Sequence, residues 1–191
     1  MQINAVILAG GRSSRMGEDK GLKPLCNKPL IAYTIQVLSH FFTSIYINTN
    51  NLMYESLGLP LIPDMETNHG PMGGIYASLT KFKADTFFIS CDMPLISTEV
   101  IGILIKSHQK GQTTIATYNQ RLIPVLGIYS PGLLSILEQK NKQRELKMKT
   151  FLEEVSCNCI ELNEIISENR FVNVNTPEEF KYVEKILKHE D

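Results

Sequence analysis

A loop that follows a short apolar run gathers glycines, two arginines and a lysine: Leu8-Ala9-Gly10-Gly11-Arg12-Ser13-Ser14-Arg15-Met16-Gly17-Glu18-Asp19-Lys20. Glycines let the backbone come close to phosphate oxygens and aim N–H groups at them. Arg15 and Lys20 can neutralise the charge that grows on a leaving pyrophosphate. The spacing is not that of a P-loop, since no Gly-Lys-Ser/Thr triplet follows. Nor is it the dinucleotide fingerprint, because the third glycine is misplaced. A solvated turn is the plain alternative. The second candidate is Asp92, which follows the apolar run Phe87 to Ser90. An unpaired carboxylate there would be expensive to bury. Mg²⁺ is held by one or two carboxylates together with substrate phosphates, so a metal ligand would account for an acid at that point; a turn aspartate before Met93-Pro94 would account for it too.

The elements that position these residues alternate in type. Apolar runs at Ile3 to Leu8, Ile45 to Ile47, Leu61 to Ile62 and Thr86 to Ser90 read as strands buried on both faces. Helical spacing or capping predicts helices at Pro29 to His40, Gly74 to Phe82 and Ser97 to Lys110, the last with Ser97 as N-cap. Beyond these, Thr113 to Tyr118 and Val125 to Tyr129 read as strands paired across an Asn119-Gln120 turn. Pro131 to Gln139 and Leu146 to Val155 read as helical, Cys157 to Leu162 and Phe171 to Val174 as strands, and Pro177 to Lys188 as a closing helix. Strands alternating with helices imply one α/β domain over residues 1–191, Rossmann-like and doubly wound, with a mostly parallel sheet and helices on both faces. Ligands of such sheets bind beyond the C-terminal strand ends. Gly10-Gly11, Asn48, Asp64 and Asp92 each follow a strand and should therefore share one rim.

Composition narrows the partners. A formal net charge of −1 gives no reason to expect nucleic acid, and no run is long and apolar enough to span a bilayer. Met1 to Gly11 has no cationic region ahead of its apolar run, so it does not read as a signal peptide, and a cytoplasmic protein is expected. The four cysteines are then not expected in disulfides. Cys157 and Cys159 share a strand face and could begin a metal site, but no second pair or nearby histidine completes the usual spacing. They are read as buried thiols. None of the four histidines shows metal spacing.

The run LAGGRSSRMGEDKGL resembles the signature loop of nucleotidyltransferases with a nucleotide-diphospho-sugar transferase-like fold. Its Arg-Met-Gly-x-Asp-Lys-Gly-Leu ending is similar to that of the molybdenum cofactor guanylyltransferases. The likeness continues, in the family's order, through Gly70-Pro71-Met72-Gly73-Gly74-Ile75, Cys91-Asp92-Met93-Pro94-Leu95 and Phe171-Val172-Asn173-Val174-Asn175-Thr176-Pro177-Glu178-Glu179. The resemblance implies GTP, Mg²⁺ and molybdopterin as ligands, molybdopterin guanine dinucleotide as product, and transient partners among molybdenum-cofactor biosynthesis proteins. It implies nucleotide contacts along Leu8, Ala9, Gly10, Gly11 and Lys20, with further contacts from Asn48, Asp64 and Gly73. Guanine presents N1–H and N2–H₂ donors that a carboxylate or amide oxygen can read. On the metal side it implies Asp92 and Asn175, with Asn173 nearby for metal or pterin.

Two local patterns qualify that picture. Thr176, Pro177 and Glu179 form a capping box and need no functional explanation. Asn173 and Asn175 are left over, two apart and so on one face of a strand. Ile123 stands before Pro124 where the family has a polar residue, which bears on the acceptor; Lys147 and Lys149 can serve an acceptor phosphate or simply face solvent. The rival readings are a cytidylyltransferase of the same fold and an inactive nucleotide-binding homologue.

Overall fold

The computed structural model describes residues 3–10, 19–66 and 68–190. Gly11 and Arg15, both expected in the phosphate loop, lie outside the described residues. The chain runs β1 (Asn4–Leu8), β2 (Pro24–Leu25), β3 (Lys28–Pro29), α1 (Leu30–Leu38), β4 (Ile45–Asn48), β5 (Leu61–Ile62), α2 (Gly70–Phe82) and β6 (Thr86–Ser90). It continues through α3 (Thr98–Ser107), β7 (Thr113–Tyr118), β8 (Arg121–Tyr129), α4 (Leu134–Gln143), α5 (Met148–Glu154), β9 (Cys157–Glu161) and α6 (Pro177–Glu190). Strands β2 and β3 form a small hairpin; the other seven form one sheet in the order β5-β4-β1-β6-β8-β7-β9. Among the described residues only β8 runs against the rest, so the doubly wound, mostly parallel sheet expected from the alternation is present.

The apolar runs are continuous because their strands are covered twice. In β1, Ala5 and Ile7 face one core and Val6 and Leu8 the other; in β6, Phe87 and Ile89 oppose Phe88 in the same way. Alternating side chains on one strand reach opposite faces, so a strand between two helix layers has no polar side to show. Helices α1 and α3 supply the first layer through Ile31, Leu38, Val100 and Leu104. Helices α2, α4 and α5 supply the second through Met72, Ile75, Leu137 and Phe151. Helix α6 packs separately, with Val183 against Leu25, Leu30, Leu95 and Val174. Among the described residues no helix is long and apolar enough to cross a membrane.

Segments that depart from the pattern read from sequence include β8, which opens at Arg121 rather than Val125. Phe171 to Val174 is not a strand: a 3₁₀ turn covers Glu168–Phe171, and an extended loop follows. Its backbone is tied to the end of β6 by one bond, from Val174 N to the Asp92 carbonyl at 2.9 Å, rather than by a ladder. Helix α2 begins at Gly70 instead of Gly74, because Pro71 fits the first turn of a helix. Helix α4 is preceded by a 3₁₀ turn at Pro131–Leu133, capped by Ser130 Oγ accepting from Gly132 N.

The register sets the level of every strand end. Leu8 lies beside Asn48 on one flank and Ser90 on the other, and Asn48 lies beside Ile62. The last rungs carry this order one step further: Ala9 N donates to the Asn48 carbonyl at 2.9 Å, and Cys91 N to the Leu8 carbonyl at 3.1 Å. Phe88 lies at the centre of the sheet and meets the Tyr129 ring edge-on, centroids 5.6 Å apart. Phe88→Ala should destabilise the fold by about 3–5 kcal/mol, read as a lower denaturant midpoint with the slope unchanged.

Candidate active site

Gly10, Asp64 and Asp92 each stand two residues beyond one row of the sheet, Ile62–Asn48–Leu8–Ser90. The row explains why residues far apart in sequence meet. On one side is Lys20. Its Nζ donates to Asp92 Oδ2 at 2.5 Å and to Asn175 Oδ1 at 2.8 Å. Asp92 is 8% exposed, and its Oδ1 is buried without a hydrogen-bond partner; so is Asn173 Oδ1. Hard cations take such oxygens. Among the described residues no group of three or more His, Cys, Asp or Glu side chains could hold a metal by itself. The two unbonded oxygens are of the donor type that a divalent cation takes when substrate and water complete its shell.

Lys20 is held from behind by a group that the sequence reading did not single out. Asp19 caps the 3₁₀ turn Lys20–Leu22: its Oδ1 accepts from Gly21 N at 3.2 Å and from the Tyr54 hydroxyl at 2.5 Å, and its Oδ2 accepts from Asn51 Nδ2 at 2.8 Å. Tyr54 is fully buried. Burial first, then the nearby Cys91 thiol and Asp19, push its pKa far up, so the phenol keeps its proton and donates. A side chain at position 21 would collide with the Tyr54 hydroxyl, so Gly21 is set by packing. The signal that could have found Asp19 is its place directly before Lys20, where an aspartate can cap the turn that follows; nothing local connects Tyr54 to it across 35 positions.

On the other side are Asn48 and Asp64. Asn48 is 2% exposed. Its Nδ2 donates to the Ile62 carbonyl at 3.0 Å and to Asp64 Oδ1 at 2.8 Å. A Cβ at Gly74 would collide with the Asn48 amide, whereas one at Gly10 would be only 3.5 Å from Asp64 Oδ2, an ordinary contact. Asn48 therefore stands behind Asp64 and orients it. Burial raises the Asp64 pKa, and the Asn48 amide and His69 oppose the shift. Gly73 is closed over by His69, whose Cβ a new side chain would strike. His69 Nδ1 meets Asn141 Oδ1 at 2.8 Å; because Asn141 Nδ2 donates to the Leu137 carbonyl, the imidazole Nδ1 is the donor.

The acceptor-side expectations fare differently. Ile123 packs against the first core, and the Pro124 carbonyl accepts from the Tyr129 hydroxyl at 2.5 Å. Lys147 lines an open surface cavity of about 380 Å³ with Lys140 and Arg144, in which Lys140 is already paired with Glu145 and Glu154. Lys149 is exposed. The capping box is as expected, with Glu179 accepting from the N–H groups of Asn175 and Thr176, and Thr176 Oγ1 from Glu179 N.

Glycines on the rim, a lysine bridging an acid and an amide, and a second acid three strands away define a nucleotidyltransferase of the doubly wound α/β class. The chain belongs to the MobA-like NTP transferase family, whose domain matches residues 5–158. It is 35% identical over 187 residues to the molybdenum cofactor guanylyltransferase of Vibrio campbellii, covering 93% of each chain. With that of Yersinia pestis it shares 31% over 180 residues, covering 92% of this chain and 91% of the relative. The crystal structure of molybdopterin-guanine dinucleotide biosynthesis protein A from Archaeoglobus fulgidus superimposes with a TM-score of 0.82 at 25% identity, covering 98% of this chain and all of that one.

The raised Asp64 carboxyl has a testable sign. The folded chain holds that proton more tightly than the unfolded chain, so stability falls as pH rises from the ordinary value of 3.8 through the folded value, and the penalty persists above it. Asp64→Asn keeps an oxygen for Asn48 and removes the charge. Without nucleotide the variant should unfold at a higher denaturant concentration than the parent at neutral pH, with the gap closing as pH is lowered toward 3.8.

Proposed function

We propose that this protein transfers the GMP moiety of GTP to the terminal phosphate of molybdopterin, forming molybdopterin guanine dinucleotide and releasing pyrophosphate. A phosphate oxygen of the acceptor bonds to the α-phosphorus as the α–β bond breaks, and the electron pair leaves on pyrophosphate. The nucleophile is already anionic near neutral pH, so no general base is needed. Catalysis is then positioning and charge stabilisation.

The observation that carries this reading is Lys20 between Asp92 and Asn175 at the strand ends. Lys20 is the cation that follows the charge onto the pyrophosphate, aided by Arg15. Gly10 and Gly11, with the backbone of Leu8 and Ala9, cradle the phosphates, and Gly73 at the start of α2 adds the favourable end of a helix dipole. Asp64, held by Asn48, accepts from guanine N1–H and N2–H₂. Asp92, through its unbonded Oδ1, with Asn175 or Asn173 would hold Mg²⁺, which would supply charge stabilisation to the phosphates. The enzyme works in the cytoplasm and receives its acceptor from transient partners of the same biosynthetic route.

Thermal shifts with GTP, CTP, ATP and UTP, each with and without Mg²⁺, test the base and the metal together. Ligand at about 100 times its Kd stabilises by about 2.7 kcal/mol, a shift of several degrees for a chain of this size. The shift should be selective for GTP and larger with Mg²⁺; one selective for CTP would make the protein a cytidylyltransferase. Asp92→Asn should lower turnover by at least about a hundredfold with the thermal midpoint near the parent's. Turnover close to that of the parent would remove Asp92 from the site.

The clamp on Asp19 has its own consequence. Tyr54→Phe deletes the hydroxyl but keeps the ring, and should cost about 1.5–3 kcal/mol for a bond to a charged group. It should also lower kcat more than it raises KM for GTP, since Lys20 is displaced from the developing charge rather than removed.

A further inference from the structure

The expectation of two buried thiols at Cys157 and Cys159 is half met: Cys157 is half-buried against the second core, but Cys159 is exposed. Their period-two spacing puts both on one face of β9, and their sulfurs lie 3.6 Å apart. Neither is in a disulfide. Two thiolates bound at about 2.3 Å to a tetrahedral ion stand about 3.8 Å apart. The strand thus already holds the pair at close to the bite of a chelate, and the exposed member gives an ion a way in.

We propose that Cys157 and Cys159 form a two-thiolate site for a soft or borderline cation of the Zn²⁺, Cd²⁺ or Cu⁺ class, with water completing its shell. Cys157 Sγ is 4.0 Å from the Leu152 carbonyl at the end of α5, which holds it toward Cys159. Burial, followed by the hydrogen bond and charge of Cys159, pushes the Cys157 thiol up to about 11. Binding therefore displaces protons into solvent and tightens as pH rises. The site is far from the catalytic rim along the strand direction: Cys157 lies beside Thr113, the first residue of β7, whereas the rim lies beyond the C-terminal strand ends. Among the described residues strand β9 is an edge with β7 as its sole neighbour in the sheet, and a bound ion would tie two of its residues together.

The test is a Cd²⁺ titration of the reduced full-length chain, followed by the thiolate-to-cadmium charge-transfer band in the ultraviolet. Oxygen ligands such as Asp92 give no such band. The expected result is saturation at one ion per chain, bleaching of the band when Zn²⁺ is added in excess, and loss of the band in Cys159→Ser with the thermal midpoint unchanged. Cys26→Ser should retain the band. No band in the parent, or an equal band in Cys159→Ser, would overturn the proposal. So would a pair that mild peroxide closes to a disulfide but that gives no cadmium band, since it would then be a redox couple and not a chelate.

Discussion

The parallel register between β1 and its two neighbours constrains everything at the rim. Hydrogen bonding places Leu8, Asn48 and Ser90 at one level, and β5 adds Ile62 to the same row. The chain leaves the sheet at the same height four times. Each exit is short, so Gly10, Asp64 and Asp92 stay within a side chain's reach of the strand ends. A slip of one residue in either pairing would turn Asn48 or Asp92 to the opposite face. The two helix layers oppose such a slip, since each strand residue is matched to a core on its own side.

On that platform the electrostatics are deliberate. Lys20 and Asp92 have side chains only 16% and 12% exposed. Drawing two charges out of water costs more than a surface pair returns, and such pairs are weak evidence for stability. What the pair accomplishes here is placement. It keeps a cation and an acid oxygen at the strand ends, with the other oxygen of Asp92 buried and unbonded. The clamp beneath it is similarly specific. Tyr54, Asn51 and Gly21 all donate to the carboxylate of Asp19, so the turn that presents Lys20 is fixed from three directions before any ligand arrives. Asn48 does the same for Asp64, and Gly74 is the residue that leaves room for its amide.

The sheet was legible because buried parallel strands are nearly all apolar, and each such run is short and ends in polar residues. Ser97 and the Thr176-Pro177-Glu179 box were legible because helix starts have local chemistry, and both caps form. The loop between β9 and α6 was misread at Phe171 to Val174 because alternating Val and Asn satisfies a strand pattern; whether it becomes a strand depends on a neighbour with free backbone groups, and toward the sheet it has one bond, to the Asp92 carbonyl.

Sequence alone determined the α/β class, the approximate ends of the strands, the glycine loop with Lys20, and the acids that follow β5 and β6. These are properties of short windows, governed by side-chain period and by which residues can turn a chain. Tertiary structure alone decided that Lys20 would bond to residues 72 and 155 positions away, that Tyr54 would lie under Asp19, that Asn48 would be buried behind Asp64, and that β8 would insert between β6 and β7. Those outcomes depend on register, on the hand of each crossover and on which side chains are left facing one another once the cores have closed, and no local window contains that information.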